Sequence, residues 1–272
     1  MTKIKNMIVN LSNFKKAIFI FIFIILIAFI AVNNRYSTIA RYKDRDSSAE
    51  IVLWDGSTAS SYHSGDGTST NPYMIKNGAE LKYFYEQLLT EDYENEYFVL
   101  GNDIMLNKGL FSYDFDNSKI KYTIDTNEYI LDSSNGKYYD GETEIGTANI
   151  FNPLNNFKGN FDGGMYTIFG LLISGTGNQA LFSNLEGTVK NLYVENAMVY
   201  GSGLTAGIAS STSGATVKNV SFEGYVIGGS ETSSITGGIA AVANNTTFEN
   251  IANKSTTYGY TVGGIVGNLT GV

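Results

Sequence analysis

The chain has 272 residues, with 18 Lys+Arg against 26 Asp+Glu, one histidine and no cysteine. Its net charge of −8 hides a split: residues 1–45 carry +7 and the remaining 227 carry −15, with no arginine after Arg45. Such a body lacks the basic footprint of a nucleic-acid-binding surface. The missing cysteines exclude a disulfide framework, thiol catalysis and cysteine-ligated zinc, and one imidazole excludes any site that needs two.

Residues 1–16 form a basic tail ending in Lys15 and Lys16. Residues 17–32, AIFIFIFIILIAFIAV, are sixteen consecutive apolar residues. That is slightly long for the apolar part of a signal peptide and slightly short for roughly 30 Å of hydrocarbon at 1.5 Å per residue. With no polar face the segment suits lipid better than a protein core. The expectation is an uncleaved transmembrane helix or signal-anchor; Thr38-Ile39-Ala40 offers a distant cleavage site, which would leave a secreted product. Four Lys/Arg lie on each side of the run, so flanking charge does not orient it. The basic tail resembles a signal n-region and places the acidic body outside. Residues 33–50 read as a polar stalk.

From residue 51 the pattern changes to a cap module, 51–149. Short apolar runs alternate with Gly, Ser, Thr and acids, as strands and turns do. In NGAELKYFYEQLL, Leu81, Phe84, Tyr85, Leu88 and Leu89 recur at i, i+3, i+4, i+7 and i+8, which predicts one amphipathic helix. Asn77 is its expected N-cap, with Glu80 as reciprocal partner. YFVLGNDIML (97–106) reads as a strand. Residues 109–149 read as an insertion, with Ser134-Asn135-Gly136 turning a hairpin.

Beyond residue 150 the chain repeats. TVKNLYVENAMVYG (188–201), TVKNVSFEGYVIGG (216–229) and TFENIANKSTTYGY (247–260) align without a gap on Asn191, Asn219 and Asn250. AGIAS, GGIAA and GGIVG recur between them. Such periods, built from short strands, indicate a solenoid. The fold expected is all-β: a right-handed parallel β-helix over 150–272, with the cap before it. Val189, Val217 and Phe248, and Ile208, Ile239 and Ile265, should stack as interior ladders. The asparagines should tolerate left-handed backbone at one corner and bond from coil to coil, while glycines supply φ > 0 at the others.

At these residues the chain resembles bacterial surface proteins carrying GLUG-type repeats. The core of that motif is Gly264-Ile265-Val266-Gly267 here, with weaker copies at Gly207-Ile208-Ala209 and Gly238-Ile239-Ala240. FKGNFDGGMYTIFGLLI (157–173) resembles the phrase that opens such arrays, departing from it at Gly164, Met165 and Tyr166. WDGS, GDGTSTNPYMIKNGAELKYF and YFVLGNDIMLN resemble the cap of the same proteins. The resemblance implies an adhesin-like surface β-solenoid, or the non-catalytic N-terminal part of a larger secreted protease, such as an IgA-cleaving metalloprotease, or of a carbohydrate-active enzyme. It brings no catalytic residues. The sequence ends within a repeat without a polar capping coil, so a longer protein is expected.

Candidate chemistry is sparse. His63 with Asp66 has the makings of a general base, but its Gly- and Ser-rich surroundings read better as an exposed loop. Glu195 and Glu223 align as a carboxylate pair, at the roughly 4.8 Å strand spacing that any stacked pair meets. Lys254 at the third position favours a charge ladder. Asp114, Asp116 and Asn117, and Asp132, Asn135, Asp140 and Glu142, are oxygen ligands of the kind calcium takes, in an order that fits no EF-hand loop. Tyr83, Phe84, Tyr85, Tyr93, Tyr97, Phe98, Tyr138 and Tyr139 could stack on sugars, although most should close the solenoid core. The expectation is a non-catalytic adhesion or display protein without catalytic residues, metal or cofactor. Its partners would be the membrane, through 17–32, and a surface glycan or host matrix protein.

Overall fold

A computed structural model describes residues 51–271. The expected membrane segment at 17–32 and its stalk lie outside that range. Among the described residues no helix is long and apolar enough to cross a membrane.

The described residues build an all-β parallel solenoid with one short helix. Its first elements are β1 (Tyr73–Ile75), α1 (Gly78–Gln87), β2 (Tyr97–Leu100) and β3 (Ile104–Met105). An antiparallel excursion follows: β4 (Leu110–Asp114), β5 (Lys119–Ile124), β6 (Asn127–Leu131), β7 (Lys137–Asp140) and β8 (Thr143–Thr147). The coils resume with β9 (Asn160–Asp162), β10 (Thr167–Phe169), β11 (Leu172–Ser174), β12 (Phe182–Leu185) and β13 (Thr188–Tyr200). Then come β14 (Leu204–Ala206), β15 (Ala209–Ser213), β16 (Thr216–Ile227), β17 (Ile235–Gly237) and β18 (Ala240–Asn244). The last are β19 (Thr247–Tyr258), β20 (Thr261–Gly263) and β21 (Val266–Thr270).

The main face runs β1-β2-β9-β13-β16-β19, every neighbour parallel. Two further parallel sheets, β12-β15-β18-β21 and β14-β17-β20, form the other faces. Because strands pair coil on coil, one register position becomes one column. Phe98, Phe161, Val189, Val217 and Phe248 stack in such a column, and Leu192, Val220 and Ile251 in another. The residues of these columns are buried through β16, and Phe248 and Ile251 are half-buried. Ile208 and Ile239 are fully buried and linked through backbone bonds to Ile265, which is 37% exposed in the last described coil.

The gapless alignment holds between β16 and β19, where Glu223 faces Lys254. Between β13 and β16 it fails halfway. Val194 pairs with Phe222, but Ala197 pairs with Gly224, so Glu195 and Asn196 together oppose Glu223. This is a β-bulge, and the extra residue, Asn196, sits at φ 53°. Glycine roles also divide. Gly214 (φ 63°), Asn245 (φ 46°) and Gly271 (φ 70°) do occupy one left-handed corner. The recurring Gly207 and Gly238 do not: they are small because the corner crowds the main face. A Cβ on Gly207 would lie 2.6 Å from the Phe222 ring, and one on Gly238 2.1 Å from the Asn253 amide.

Helix α1 forms as its spacing predicts. Asn77 caps it, accepting from the Glu80 N–H at 2.9 Å. The reciprocal bond is displaced by one residue: the Glu80 carboxylate accepts from the Lys76 N–H at 2.7 Å, not from Asn77. Leu81, Phe84 and Leu88 turn inward and plug the first coils, while Leu89 is exposed. YFVLGNDIML is two strands around a corner at Gly101–Asp103, which lets β2 and β3 serve different columns.

The excursion is a five-stranded meander, with hairpin turns at Asp125–Thr126 and Gly141–Glu142 besides the expected one before Lys137. An asparagine clasp closes its base. Buried Asn107 donates to the carbonyls of Asn149 (2.9 Å) and Gly170 (2.8 Å) and accepts from the Asn149 N–H (2.7 Å). One face of the meander (Phe111, Ile120, Tyr122, Leu131) packs on Leu172, Met198 and Ile227, making a second core on the outside of the solenoid. The bulge residue Asn196 pins it there, accepting from the Phe111 N–H at 2.9 Å and donating to the Gly109 carbonyl at 2.7 Å.

One buried hydroxyl in the solenoid interior is unpartnered. Thr236 Oγ1 has no hydrogen bond, and Gly228 and Gly259 pass so close that a Cβ on either would lie within 2.2 Å of it. Thr236 stands between Thr205 and Val262 in its column, so valine already occupies the next rung. Because an orphaned buried hydroxyl costs about 1–3 kcal/mol, Thr236→Val is expected to leave the melting temperature unchanged or raise it. A calorimetric scan that found a clear drop would refute this reading of the site.

Candidate functional site

The most regular polar array is the asparagine ladder. Asn191, Asn219 and Asn250 sit at φ 52°, 53° and 53°, the left-handed conformation that asparagine tolerates best among residues with a side chain. Asn250 donates to Asn219 Oδ1 at 3.0 Å and Asn219 to Asn191 Oδ1 at 2.9 Å. Asn191 donates to Asp162 Oδ1 at 3.0 Å, so a carboxylate forms the first rung. Its distance of 29 residues from Asn191, close to the repeat period, was the signal for it. The ladder is structural chemistry: every amide is spent on its neighbour.

Burial would raise the Asp162 pKa, but bonds from the Asn191 amide and the Gly164 N–H, with Lys190 alongside at 3.3 Å, bring it below the ordinary carboxylate value. A lowered folded pKa means stability that is complete above the unfolded carboxylate pKa and drains away as pH falls through the folded one. Asp162→Asn should therefore flatten the acid limb of thermal melts taken downward from about pH 5. An unchanged slope would count against the ionised first rung.

The other candidates are turn-makers or are kept apart. Asp114 accepts from the Asn117 side-chain amide and from the N–H groups of Asn117 and Asp116, all at 3.1 Å, which tightens the β4–β5 turn and holds its carboxyl below the usual range. Asp132 does the same with the hydroxyl and N–H of Ser134. Among the described residues no group of three or more His, Asp or Glu is placed to hold a metal. His63 Nδ1 lies 3.7 Å from Glu80, whereas Asp66 accepts from Thr68, so the two are given different partners. Glu223 meets Lys254 at 3.9 Å, as a charge ladder requires, and Glu195 is set off from it by the bulge. A cleft at the end of α1 holds Glu91, Asp92, Asn156, Lys158 and Glu186, with Lys158 paired to Asp92 at 2.8 Å.

The aromatic residues of the cap mostly close the core. Phe84 and Phe98 are fully buried with ring centroids 4.4 Å apart, and Tyr93 packs edge-on to Phe98 at 5.1 Å. Tyr83 meets Tyr62 edge-on at 5.0 Å, and Tyr85 lies beneath the Lys82 ammonium at 4.1 Å. Tyr138 packs between Tyr122 and Tyr129 in the meander, and Tyr139 pairs with Ile130. Of this group Tyr97 is the most open, at 37% exposed.

Exposed rings gather elsewhere, where the meander leans over the solenoid. Phe115 is 45% exposed and lies 5.4 Å from Tyr258, itself 54% exposed; Tyr113 links Phe115 (4.9 Å) to Tyr200 (6.4 Å). Burial and the nearby Tyr200 hydroxyl push the Tyr113 pKa up, against a bond from Ser118. Sequence spacing could not reveal this strip, because Tyr113 and Phe115 reach Tyr200 and Tyr258 only through the docking of the meander on the solenoid.

No family model matches the chain. Over 211 residues, 74% of this chain, it is 27% identical to halomucin of Haloquadratum walsbyi, of which the match spans 2%. A Bacteroides ovatus protein provisionally assigned as an immunoglobulin A1 protease overlays 76% of this chain and 65% of its own, at a TM-score of 0.44 and 19% identity.

Proposed function

We propose that the chain is a membrane-anchored surface protein whose acidic β-solenoid stands outside the cell and serves adhesion or display. The observation that carries this reading is the division of labour among its polar residues. The repeated asparagines and turn aspartates are consumed in holding coils and hairpins, while the outward faces of β13, β16 and β19 offer charged and aromatic side chains on a rigid frame. The lipid-suited run at 17–32 behind a basic tail supports an anchor, and the likeness to part of a protein named halomucin supports a place at a surface. A glycan or a host matrix protein is the partner class this reading expects.

Protease shaving of intact expressing cells, blotted against residues 150–272, tests it. Loss of the signal without lysis is the expected result. Full protection until lysis would put the body in the cytosol and end the adhesion reading.

A further inference from the structure

We propose that the aromatic strip formed by Tyr113 and Phe115 of the meander with Tyr200, Tyr225, Tyr258 and Tyr260 of the solenoid is a platform for a neutral polysaccharide. The proposal rests on the surface role above and names its contact site.

The strip belongs to the outer face. Tyr200, Ile227 and Tyr258 form one column, and Met198, Tyr225 and Thr256 another. The side chains of β19 alternate, with Lys254, Thr256, Tyr258 and then Tyr260 outward and exposed. The meander covers Ile227 and part of Tyr200 and Tyr225 and ends with Phe115 against Tyr258, so one edge of the strip is partly buried while Phe115, Tyr258 and Tyr260 are left open. A strand added to the edge of β19 would extend these columns sideways without lying on the ring faces.

Three features select the occupant. Five of the six rings carry a hydroxyl, and Thr256, the Lys254–Glu223 pair and Asp114 border them. The surface thus alternates flat apolar faces with hydrogen-bonding groups, which suits pyranose rings, apolar on their C–H faces and polar at their edges. The body carries −15 and no arginine, which opposes nucleic acids and sulfated or other anionic polymers. Phe115 is held edge-on between Tyr113 and Tyr258, so the centre of the strip has less side-chain entropy to lose on binding.

Affinity electrophoresis of residues 51–272, and of the full chain in detergent, through gels containing galactomannan, mixed-linkage β-glucan or dextran tests the platform. Retardation by at least one polysaccharide, weakened about tenfold or more in Phe115→Ala/Tyr258→Ala, is expected. Both side chains are exposed, and a thermal melt checks that the variant stays folded. No retardation by any of the three, or retardation equal in the variant, would overturn the proposal. So would binding to gelatin-coated plates that the double variant loses while all gels show none, because the strip would then be a protein-docking surface. These failures leave the shaving result untouched, whereas a protected body in that experiment ends the surface reading whatever the gels show.

Discussion

Replacing Phe84 with alanine is expected to cost about 3–5 kcal/mol, a large share of the roughly 5–15 kcal/mol that holds a domain folded. Phe84 is fully buried on α1, its ring 4.4 Å from Phe98, 5.6 Å from Phe157 and 6.0 Å from Phe161. It therefore joins the helix to β2, to the chain entering β9 and to β9 itself. The cavity left by alanine is bounded by strands already fixed in register, so the walls have little freedom to collapse into it. Phe84→Leu keeps most of the volume and should lose much less. Urea denaturation of the two variants separates the cases, and equal midpoints for alanine and wild type would show that the helix does not close the core.

Asn219→Ala is the second large effect, at about 2–5 kcal/mol. Asn219 is the inner rung, donating to Asn191 and accepting from Asn250. Alanine removes two hydrogen bonds, each worth about 0.5–1.5 kcal/mol net, and leaves the amides above and below without one partner. It also forces a Cβ-bearing residue without a local hydrogen-bonding group into φ 53°, at about 1–2 kcal/mol. Glycine isolates the two parts: Asn219→Gly loses the bonds but spares the backbone strain, so it should fall between wild type and alanine. If glycine were no better than alanine, the left-handed corner would not be a source of the loss.

Much of this architecture was legible because a solenoid writes its contacts into its period. Asn191, Asn219 and Asn250 align by counting, and counting alone places them in one column with their amides in reach. The helix was legible from Leu81, Phe84 and Leu88 for the same reason, a period matched to one buried face. The bulge at Glu195–Asn196 was not. A gapless alignment scores well across it, and only the tether from Asn196 to Gly109 and Phe111 explains the extra residue. The meander was recognised as an insertion, but not that it lies back on Leu172, Met198 and Ile227, since an apolar residue facing outward looks like noise in a two-residue alternation. The aromatic strip follows from that docking and was hidden with it. The closing role of the cap aromatics was legible for the opposite reason: Phe84 and Phe98 sit where the end of a coil stack must be plugged by large side chains, and they are buried there.

The claim on which the rest depends is the parallel, in-register stacking of the coils. The absence of native cysteine makes it directly measurable. Lys218 and Glu249 are register partners on the outer face, with an ion pair at 2.9 Å. Adjacent strands lie within the reach of a disulfide. Lys218→Cys/Glu249→Cys should oxidise to an intramolecular disulfide that shifts its mobility on non-reducing gels and is reversed by reductant. Lys218→Cys/Lys254→Cys, with the second cysteine displaced along β19 toward Glu223, should stay reduced under the same conditions. Closure of the second pair without the first would contradict the register, and with it the ladder and the fold.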